Sequence, residues 1–182
     1  MYKIFVTMGV FFMFPPKYYI MDFKISPYKN HNSDEYFDMV LSQWHVLKPA
    51  EVQFSDAFEK EEYKKQYDGF RNAVYESVKS DILSGKYRDY RIEKCGVTYG
   101  IVDVGTEKFE YPEVGIILKE EFRGRGYGYL IMKDFIDRVK KCSGCDRVIW
   151  RTEPGNIAAI ALAIKLGGRE SFQTDKLKGF LI

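Results

Sequence analysis

The stretch Phe122-Arg-Gly-Arg-Gly-Tyr-Gly128 lies between two apolar segments of different periodicity. Before it, Glu113-Val-Gly-Ile-Ile-Leu118 is a short continuous apolar run, which is typical of a central strand. After it, apolar residues recur at helical spacing: Leu130, Ile131, Phe135, Ile136 and Val139. Glycines let a backbone approach a ligand closely, and the free N–H groups at a helix N-terminus bind anions. The stretch therefore predicts an anion-binding turn between a strand and a helix. Pyrophosphate is its natural occupant, and Arg123 and Arg125 add positive charge.

The spacing of these glycines argues against two other phosphate-binding signatures. A dinucleotide-binding fingerprint needs G-x-G-x-x-G within a parallel βαβ unit, whereas the glycines here follow G-x-G-x-G after strands that we expect to be antiparallel. A Walker phosphate loop needs Gly-Lys-Ser or Gly-Lys-Thr, and the stretch contains neither. A tight strand-to-helix turn without a ligand remains the structural alternative.

The rest of the chain alternates between strand and helix patterns around this centre. Period-two or continuous apolar runs predict strands at 18–25, 90–92, 97–104, 113–118 and 147–152, with two short strands at the end. Helical spacing predicts helices from Ser33 to Pro49, from Ser55 to Gly85, after the glycine-rich turn, and over 157–166. This order predicts one α/β domain over 18–182, with a mixed central sheet flanked by helices.

The first twenty residues form an extra apolar segment. Residues 4–14 are apolar except for Thr7 and Gly9, and Pro15-Pro16 ends the run. Eleven residues are too few to span a bilayer, which takes about twenty as a helix, and no small-residue cleavage site follows. We expect residues 1–20 to be an additional strand that pairs with the sheet or with a second subunit in a homodimer. Met21 as the true start, which would make them an upstream extension, remains the alternative.

Composition narrows the function classes. The 28 basic and 26 acidic residues are spread along the chain, so no concentrated basic face for nucleic acid is indicated, and we expect no membrane partner. Three cysteines are typical of a reducing compartment, and we expect a cytoplasmic protein. Cys142 and Cys145 form a lone CxxC pair without further metal ligands nearby, so we expect no metal.

Two motifs together resemble the GNAT superfamily, the general N-acetyltransferases. The family signature Arg/Gln-x-x-Gly-x-Gly/Ala after the fourth strand is met by Arg123, Gly126 and Gly128. Downstream, Asn156-Ile-Ala-Ala159 and Lys165-Leu166-Gly167 are similar to the family's Asn-x-x-Ala and Lys-x-Gly-Phe, with Gly168 in place of the phenylalanine. The sequence Glu153-Pro154-Gly155 is similar to the corresponding segment in the branch that includes ribosomal-protein N-terminal acetyltransferases. Motif-level resemblance covers 110–168, and it implies a GNAT fold in which two splayed strands form a slot for acyl-CoA.

The resemblance implies a set of cofactor-binding residues. Backbone N–H groups of the glycine-rich stretch would hold the CoA pyrophosphate: Arg123, Gly124, Arg125, Gly126, Tyr127 and Gly128. The edge of the preceding strand would pair with the pantetheine arm through Ile116, Ile117 and Leu118. Asn156 would contact the pantetheine or order the slot, and as a favoured N-cap residue it also suits the start of the next helix.

The resemblance also implies direct attack of a primary amine on the thioester of acetyl-CoA. A carboxylate within hydrogen-bond reach would accept the amine proton. We expect Glu113 at the start of the central strand to do so, with Glu153 in reserve, although a solvated charge at a strand end is the alternative for Glu113. The family's usual tyrosine acid is replaced by Ala163, so the group that protonates the departing thiolate is not identified.

The sequence thus predicts an acetyl-CoA-dependent N-acetyltransferase that acts on an amine of a small molecule or a protein. The first two helices and the loop between the last strands shape the acceptor site in this family, so residues 48–54 and 173–179 would line its entrance. Two rivals remain: a GNAT-fold module that binds acyl-CoA without catalysis, and an interaction protein that has kept only the fold.

Overall fold

The computed structural model describes residues 18–31, 33–41, 48–84, 87–105 and 110–182. Within them lie four α-helices and eight strands. The strands are β1 (Tyr18–Ile20), β2 (Phe23–Pro27), β3 (Tyr87–Lys94), β4 (Val97–Gly105), β5 (Glu113–Leu118), β6 (Ile149–Thr152), β7 (Arg169–Gln173) and β8 (Lys178–Leu181). The helices are α1 (Asp34–Leu41), α2 (Ala57–Leu83), α3 (Tyr127–Ser143) and α4 (Ile157–Lys165), and short 3₁₀ helices cover Pro49–Glu51 and Glu120–Phe122.

The strands form one mixed sheet in the order β1-β2-β3-β4-β5-β6-β8-β7. Every neighbouring pair is antiparallel except β5 and β6, which run parallel. The predicted mixed sheet flanked by helices is therefore confirmed. The parallel pair joins two antiparallel halves, and α3 is the crossover helix between its two strands.

One face of the sheet, the α3 face, is covered by α3 and α4. Four of the residues that the sequence predicts for the inward stripe of α3 are buried there, and Met132 joins them: Ile131, Phe135, Ile136 and Val139. The prediction is wrong for Leu130, which is 39% exposed. The stripe packs on alternate residues of the strands, among them Ile92, Val102, Val114 and Trp150. Because side chains of a strand point alternately to its two faces, the intervening residues point to the other side of the sheet.

The opposite face, the α1 face, is covered by α1 and α2 and is more polar. Its apolar part comes mainly from the helices, with Phe37, Val40, Tyr67 and Val74 buried against Ile101 of β4. One ion pair holds α1 against the end of β5, where Nζ of Lys119 donates to Oε1 of Glu35 at 2.9 Å. A second joins α1 to α2, since Nη2 of Arg71 donates to Oδ1 of Asp34 at 2.7 Å.

The sequence-based prediction for the first strand was wrong in one respect. Residues 18–25 form a hairpin rather than a single strand, with Met21 and Asp22 between β1 and β2. Met21 has φ +52°, a left-handed conformation that apolar side chains rarely adopt. The turn was missed because it lacks the glycine or asparagine that usually marks such a conformation in a sequence. β3 is also longer than the predicted 90–92.

Two predictions reach beyond the described part of the chain. Most of the N-terminal segment 1–20 lies there, as do residues 42–47 at the predicted end of the first helix. Among the described residues, the structure contains no helix with the length and apolar character needed to cross a membrane.

Two glycines provide opposite tests of this fold. A Cβ at Gly100 would lie 2.0 Å from the carbonyl oxygen of Ile117, whereas a Cβ at Gly69 within α2 would meet no atom within 4 Å. We expect Gly100→Ala to lower the free energy of unfolding by about 1–3 kcal/mol through overpacking. Gly69→Ala should raise it by about 0.8–1 kcal/mol through helix propensity. Urea denaturation measures both, and a Gly100→Ala protein as stable as wild type would contradict the close β4–β5 approach.

Candidate active site

Strands β5 and β6 separate after a short paired segment. These strands share only two residue pairs, Glu113 with Ile149 and Val114 with Trp150. Beyond them, Gly115–Leu118 of β5 pair only with β4, while Arg151 and Thr152 of β6 pair only with β8. The side of β5 that faces away from β4 therefore carries backbone donors and acceptors without a strand partner, and Ile116, Ile117 and Leu118 are partly exposed. This gap is called the slot below.

The glycine-rich turn lies at the open end of the slot. Gly124 and Gly126 have φ of +71° and +81°, a conformation that favours glycine, and Gly126 is the N-cap of α3. No side chain of the described ranges caps this helix, so the first backbone N–H groups of α3 are available to an anion. Nε of Arg123 donates to the carbonyl of Leu118 at 2.8 Å, which closes the turn against the end of β5. Arg125 is exposed and forms no ion pair with any described residue.

Aromatic rings anchor this turn to the sheet, a feature that the sequence analysis missed. The rings of Tyr99 and Phe122 stack at 3.8 Å between centroids, with 12° between their planes. Tyr127 and Phe23 each contact Tyr99 edge-to-face. A register shift between Ile92 and Glu93 of β3, opposite the β4 segment that holds Tyr99, accompanies this arrangement. Periodicity within one strand does not reveal such a shift, because it depends on pairing with another.

The downstream motif starts α4. Oδ1 of Asn156 accepts a hydrogen bond from the backbone N–H of Ala159 at 3.0 Å, so the N-cap interpretation of Asn156 is confirmed. Ala163, at the family's tyrosine position, is fully buried, and the carbonyl of Ala163 accepts a hydrogen bond from the N–H of Gly168. Glu153 is exposed at the end of β6.

Glu113 is held by a bidentate ion pair. Nε and Nη2 of Arg151 donate to its two carboxylate oxygens at 2.7 and 2.6 Å, and the Glu113 side chain is 13% exposed. The pair bridges β5 and β6 at the vertex of the slot, on the α1 face. The two residues are 38 positions apart along the chain, and the sequence gives no signal of their contact.

Two further carboxyl groups, those of Asp103 and Asp89, follow Glu113 across the α1 face of the sheet. The three together are the carboxyl row. Asp89 of β3 and Asp103 of β4 are direct cross-strand partners, and Asp103 pairs with Gly115 of β5. The hydroxyl of Tyr36 donates to Oδ2 of Asp89 at 2.6 Å, and burial raises the pKa of that tyrosine, as does the Asp89 carboxylate. Burial also raises the pKa of Asp103 well above its usual range, with added repulsion from Asp89 and Glu113.

One polar atom on the other face lacks a partner. Trp150 is 4% exposed, and its Nε1 is buried with no hydrogen-bond acceptor among the described residues. A buried unsatisfied donor costs about 1–3 kcal/mol. Trp150 belongs to the last β5–β6 residue pair before the strands part, so a ligand in the slot is a natural source of the missing acceptor.

The described parts of the site combine an open strand edge, an uncapped helix N-terminus and a row of carboxyl groups. The first two suit an elongated ligand with an anionic end, and the third suits a cation or a proton transfer. No group of three or more potential metal ligands occurs in the described ranges.

Comparisons with known proteins agree with this geometry. The family model of the acetyltransferase (GNAT) domain matches residues 22–169. No curated protein sequence matches significantly.

Solved structures resemble the fold at low identity. Spermidine N-acetyltransferase from Vibrio cholerae, solved with CoA and spermine, is 13% identical with a TM-score of 0.61, and the match covers 88% of this chain and 95% of that one. RimJ from Mycobacterium smegmatis, solved with CoA-disulfide, is 15% identical with a TM-score of 0.60, covering 88% and 81%. A putative ribosomal-protein-serine acetyltransferase from Vibrio cholerae is 11% identical with a TM-score of 0.59, covering 91% and 94%. The family model spans most of the chain, and β5 and β6 separate where the family resemblance predicts a slot. The chain therefore belongs to the GNAT acetyltransferase family.

Proposed function

We propose that this protein transfers the acetyl group of acetyl-CoA to a primary amine of a small molecule or a protein, by direct attack within a ternary complex. The observation that carries the proposal is the slot between β5 and β6, which opens beside the uncapped N-terminus of α3. An acyl-CoA has the matching shape, because its anionic pyrophosphate is joined to a long arm rich in amide groups.

The described residues suit this cofactor. The N–H groups of the turn from Gly124 to Gly128 would bind the pyrophosphate, with the helix dipole and the exposed Arg125 adding attraction. The backbone N–H of Arg123, which the sequence analysis includes in this set, instead donates to the carbonyl of Glu120 at 3.0 Å. The unpaired edge of Ile116, Ile117 and Leu118 would pair with the pantetheine amides as an added strand. Asn156 would help to order the neighbouring wall of the slot through its cap of α4.

The acceptor reaches the thioester from the α1 face in this proposal, because the carboxyl row lies there. Glu113 stays a candidate for the general base, but both of its oxygens are bound to Arg151. It would therefore act through a water molecule or after Arg151 moves. Glu153 is exposed at the rim and stays the reserve candidate. Residues 48–54 and 173–179 would line the entrance.

The similar structures suggest two acceptor types to test. One was solved with spermine, and another is described as a ribosomal-protein-serine acetyltransferase. We propose a cytoplasmic location, because all three cysteines of the chain are unpaired, as in a reducing compartment.

A non-catalytic acyl-CoA-binding module is the second candidate. The observation that favours it is the residue type at position 163, an alanine where the family usually has the tyrosine that protonates the thiolate. An unperturbed thiol has a pKa of about 8.5, so a thiolate is a tolerable leaving group near neutral pH and catalysis without that tyrosine remains feasible.

Cofactor binding is tested by placing a carboxylate at the N-terminus of α3. We expect Gly126→Glu to abolish micromolar acetyl-CoA binding in isothermal titration, because the new charge repels the pyrophosphate. Gly144→Glu is the matched control, because Gly144 has a similar φ of +69° at the opposite end of α3 and open space around it. Equal loss of binding in both variants would contradict the proposed pyrophosphate site.

The unpaired indole donor gives a second test of the slot. We expect Trp150→Phe to weaken acetyl-CoA binding about fivefold, the value of one net hydrogen bond of about 1 kcal/mol. The unliganded variant should lose less stability than its reduced volume implies, because an unsatisfied buried donor disappears. Titration and urea denaturation measure the two effects, and unchanged affinity would place the acceptor of this N–H outside the cofactor.

Catalysis is tested by amine-dependent release of the CoA thiol, with spermidine and a serine-terminated peptide as first acceptors and a panel of primary amines next. We expect release with wild type and a loss of at least about tenfold in Glu113→Gln, because the variant breaks the Arg151 pair at the slot vertex. If the protein binds acetyl-CoA tightly but no amine causes release of the CoA thiol, the enzyme proposal fails and the non-catalytic binding module is favoured.

A further inference from the structure

We propose that Asp103, rather than Glu113, receives the ammonium group of the acceptor and accepts its proton. This inference rests on the proposed acetyl transfer and names the residue that prepares the nucleophile. Neither the family motifs nor the sequence analysis points to Asp103, because its importance depends on the pairing of three strands.

The position of the carboxyl group carries the inference. Asp103 lies on β4 directly across from Gly115, and its Oδ2 is 2.6 Å from where a Cβ at Gly115 would be. The carboxyl therefore lies against the β5 backbone, in space that any larger residue at 115 would occupy. Gly115 is also the first β5 residue beyond the two pairs with β6. Asp103 consequently stands at the vertex of the slot, on the α1 face.

The reactive end of the cofactor is expected at the same vertex. If the pyrophosphate lies at Arg123–Gly128, the pantetheine runs back along β5 from Leu118 toward Gly115. These residues span about 10 Å, at roughly 3.3 Å per strand residue. The arm then ends where β5 and β6 rejoin, because the paired strands leave no open edge beyond Val114.

Of the three carboxyl groups in the row, Asp103 is the one without a described partner. Both oxygens of Glu113 accept hydrogen bonds from Arg151, and Oδ2 of Asp89 accepts one from Tyr36. Asp103 makes no hydrogen bond or ion pair with any residue that the structure describes, and it is only partly exposed. A like-charged residue directly across from it is unfavourable. A bound ammonium group would compensate both its burial and this repulsion.

The surroundings suit a proton acceptor. Burial disfavours the ionised form of Asp103 and raises its pKa, so its basicity approaches that of an amine more closely than an exposed carboxylate would. Other titratable or charged groups share the α1 face on each neighbouring element: Asp89 and Arg91 of β3, Glu113 of β5, Arg151 of β6, Tyr36 of α1, Tyr63 and Tyr67 of α2, and Tyr28 and His31 before α1. Nε2 of His31 lies 3.5 Å from Oδ2 of Asp89.

The acceptor binds as an ammonium ion, and one proton passes from its nitrogen to the Asp103 carboxylate. The nitrogen lone pair then forms a C–N bond to the thioester carbonyl carbon, and the C–S bond breaks with its electron pair on sulfur. A second nitrogen proton goes to that sulfur, directly or through water, which gives the amide and the CoA thiol. Asp103 finally releases its proton to solvent.

The experiment compares Asp103→Asn with Glu113→Gln and with Asp146→Asn, an exposed control on the loop before β6. We expect Asp103→Asn and Asp146→Asn to bind acetyl-CoA like wild type, since neither changes the Glu113–Arg151 pair at the slot. With the best amine from the release assay, Asp103→Asn should lower kcat/KM about 10²–10³-fold at pH 7, the usual contribution of a positioned base. Because a neutral amine needs no base, the deficit should shrink as pH approaches the pKa of the acceptor.

A stability measurement separates catalysis from misfolding. The pKa of Asp103 is raised in the folded state, so ionisation of the unfolded chain penalises wild-type folding once pH exceeds the usual carboxyl pKa. Asp103→Asn should therefore be more stable than wild type at neutral pH and equal to it below that pKa. Its loss of activity would then accompany a gain in stability.

The outcomes distinguish a failure of the role of Asp103 from a failure of the proposed acetyl transfer. Normal turnover by wild type with Asp103→Asn within threefold of it, or with a deficit that is independent of pH, would overturn the role of Asp103 alone. In that case a loss in Glu113→Gln that shrinks as pH rises would return the base to Glu113. A wild-type protein that binds acetyl-CoA and acetylates no amine would overturn the proposed function, and the role of Asp103 with it.

Discussion

The two halves of the sheet are joined through two residue pairs of β5 and β6 and the Glu113–Arg151 ion pair beside them. This narrow junction determines the rest of the site. If the strands remained paired along their full length, β5 would have no open edge and no slot would exist. If they did not pair at all, the two antiparallel halves would lose their fixed relation. The ion pair reinforces the junction where the backbone contribution is smallest, and each charge is compensated by the other in a partly buried setting.

The local parts of this arrangement could be predicted from the sequence. The apolar run of β5, the glycine-rich turn and the inward stripe of α3 depend on neighbours along the chain, so periodicity and turn chemistry identify them. The cap formed by Asn156 was likewise visible as a residue type at the start of a helical pattern. The turn at Met21 was not, because it lacks the residues that favour left-handed backbone.

The parts that depend on strand register could not be predicted. Asp89 and Asp103 become neighbours through the β3–β4 pairing, and Asp103 reaches the slot only because Gly115 lies across from it. In sequence, Asp103 looks like one more polar residue of a strand. Glu113 was recognisable as a carboxylate at the start of the central strand, whereas its ion pair with Arg151 depends on the parallel pairing of β5 and β6. The sequence therefore indicates the glycine-rich turn and the β5 edge more completely than the carboxyl groups of the α1 face, which come from several strands.

The site also departs from what stability alone would favour. The carboxyl group of Asp103 stands across from that of Asp89, and neither it nor the buried indole N–H of Trp150 has a hydrogen-bond partner among the described residues. Both are unfavourable in the unliganded protein and become favourable if a ligand supplies the missing partner. The α3 face, by contrast, is packed with apolar side chains around α3. The unsatisfied polar groups are thus concentrated near the slot, while the apolar packing around α3 keeps the strands in place.

The location of Trp150 has a practical consequence. The chain contains two tryptophans, and Trp150 lies at the junction from which the slot opens. The emission of an indole responds to the polarity and hydrogen bonding around it, so this ring is a built-in optical reporter of the slot. Its fluorescence offers a label-free signal for following occupancy, competition and on-rates in solution before any acceptor is known.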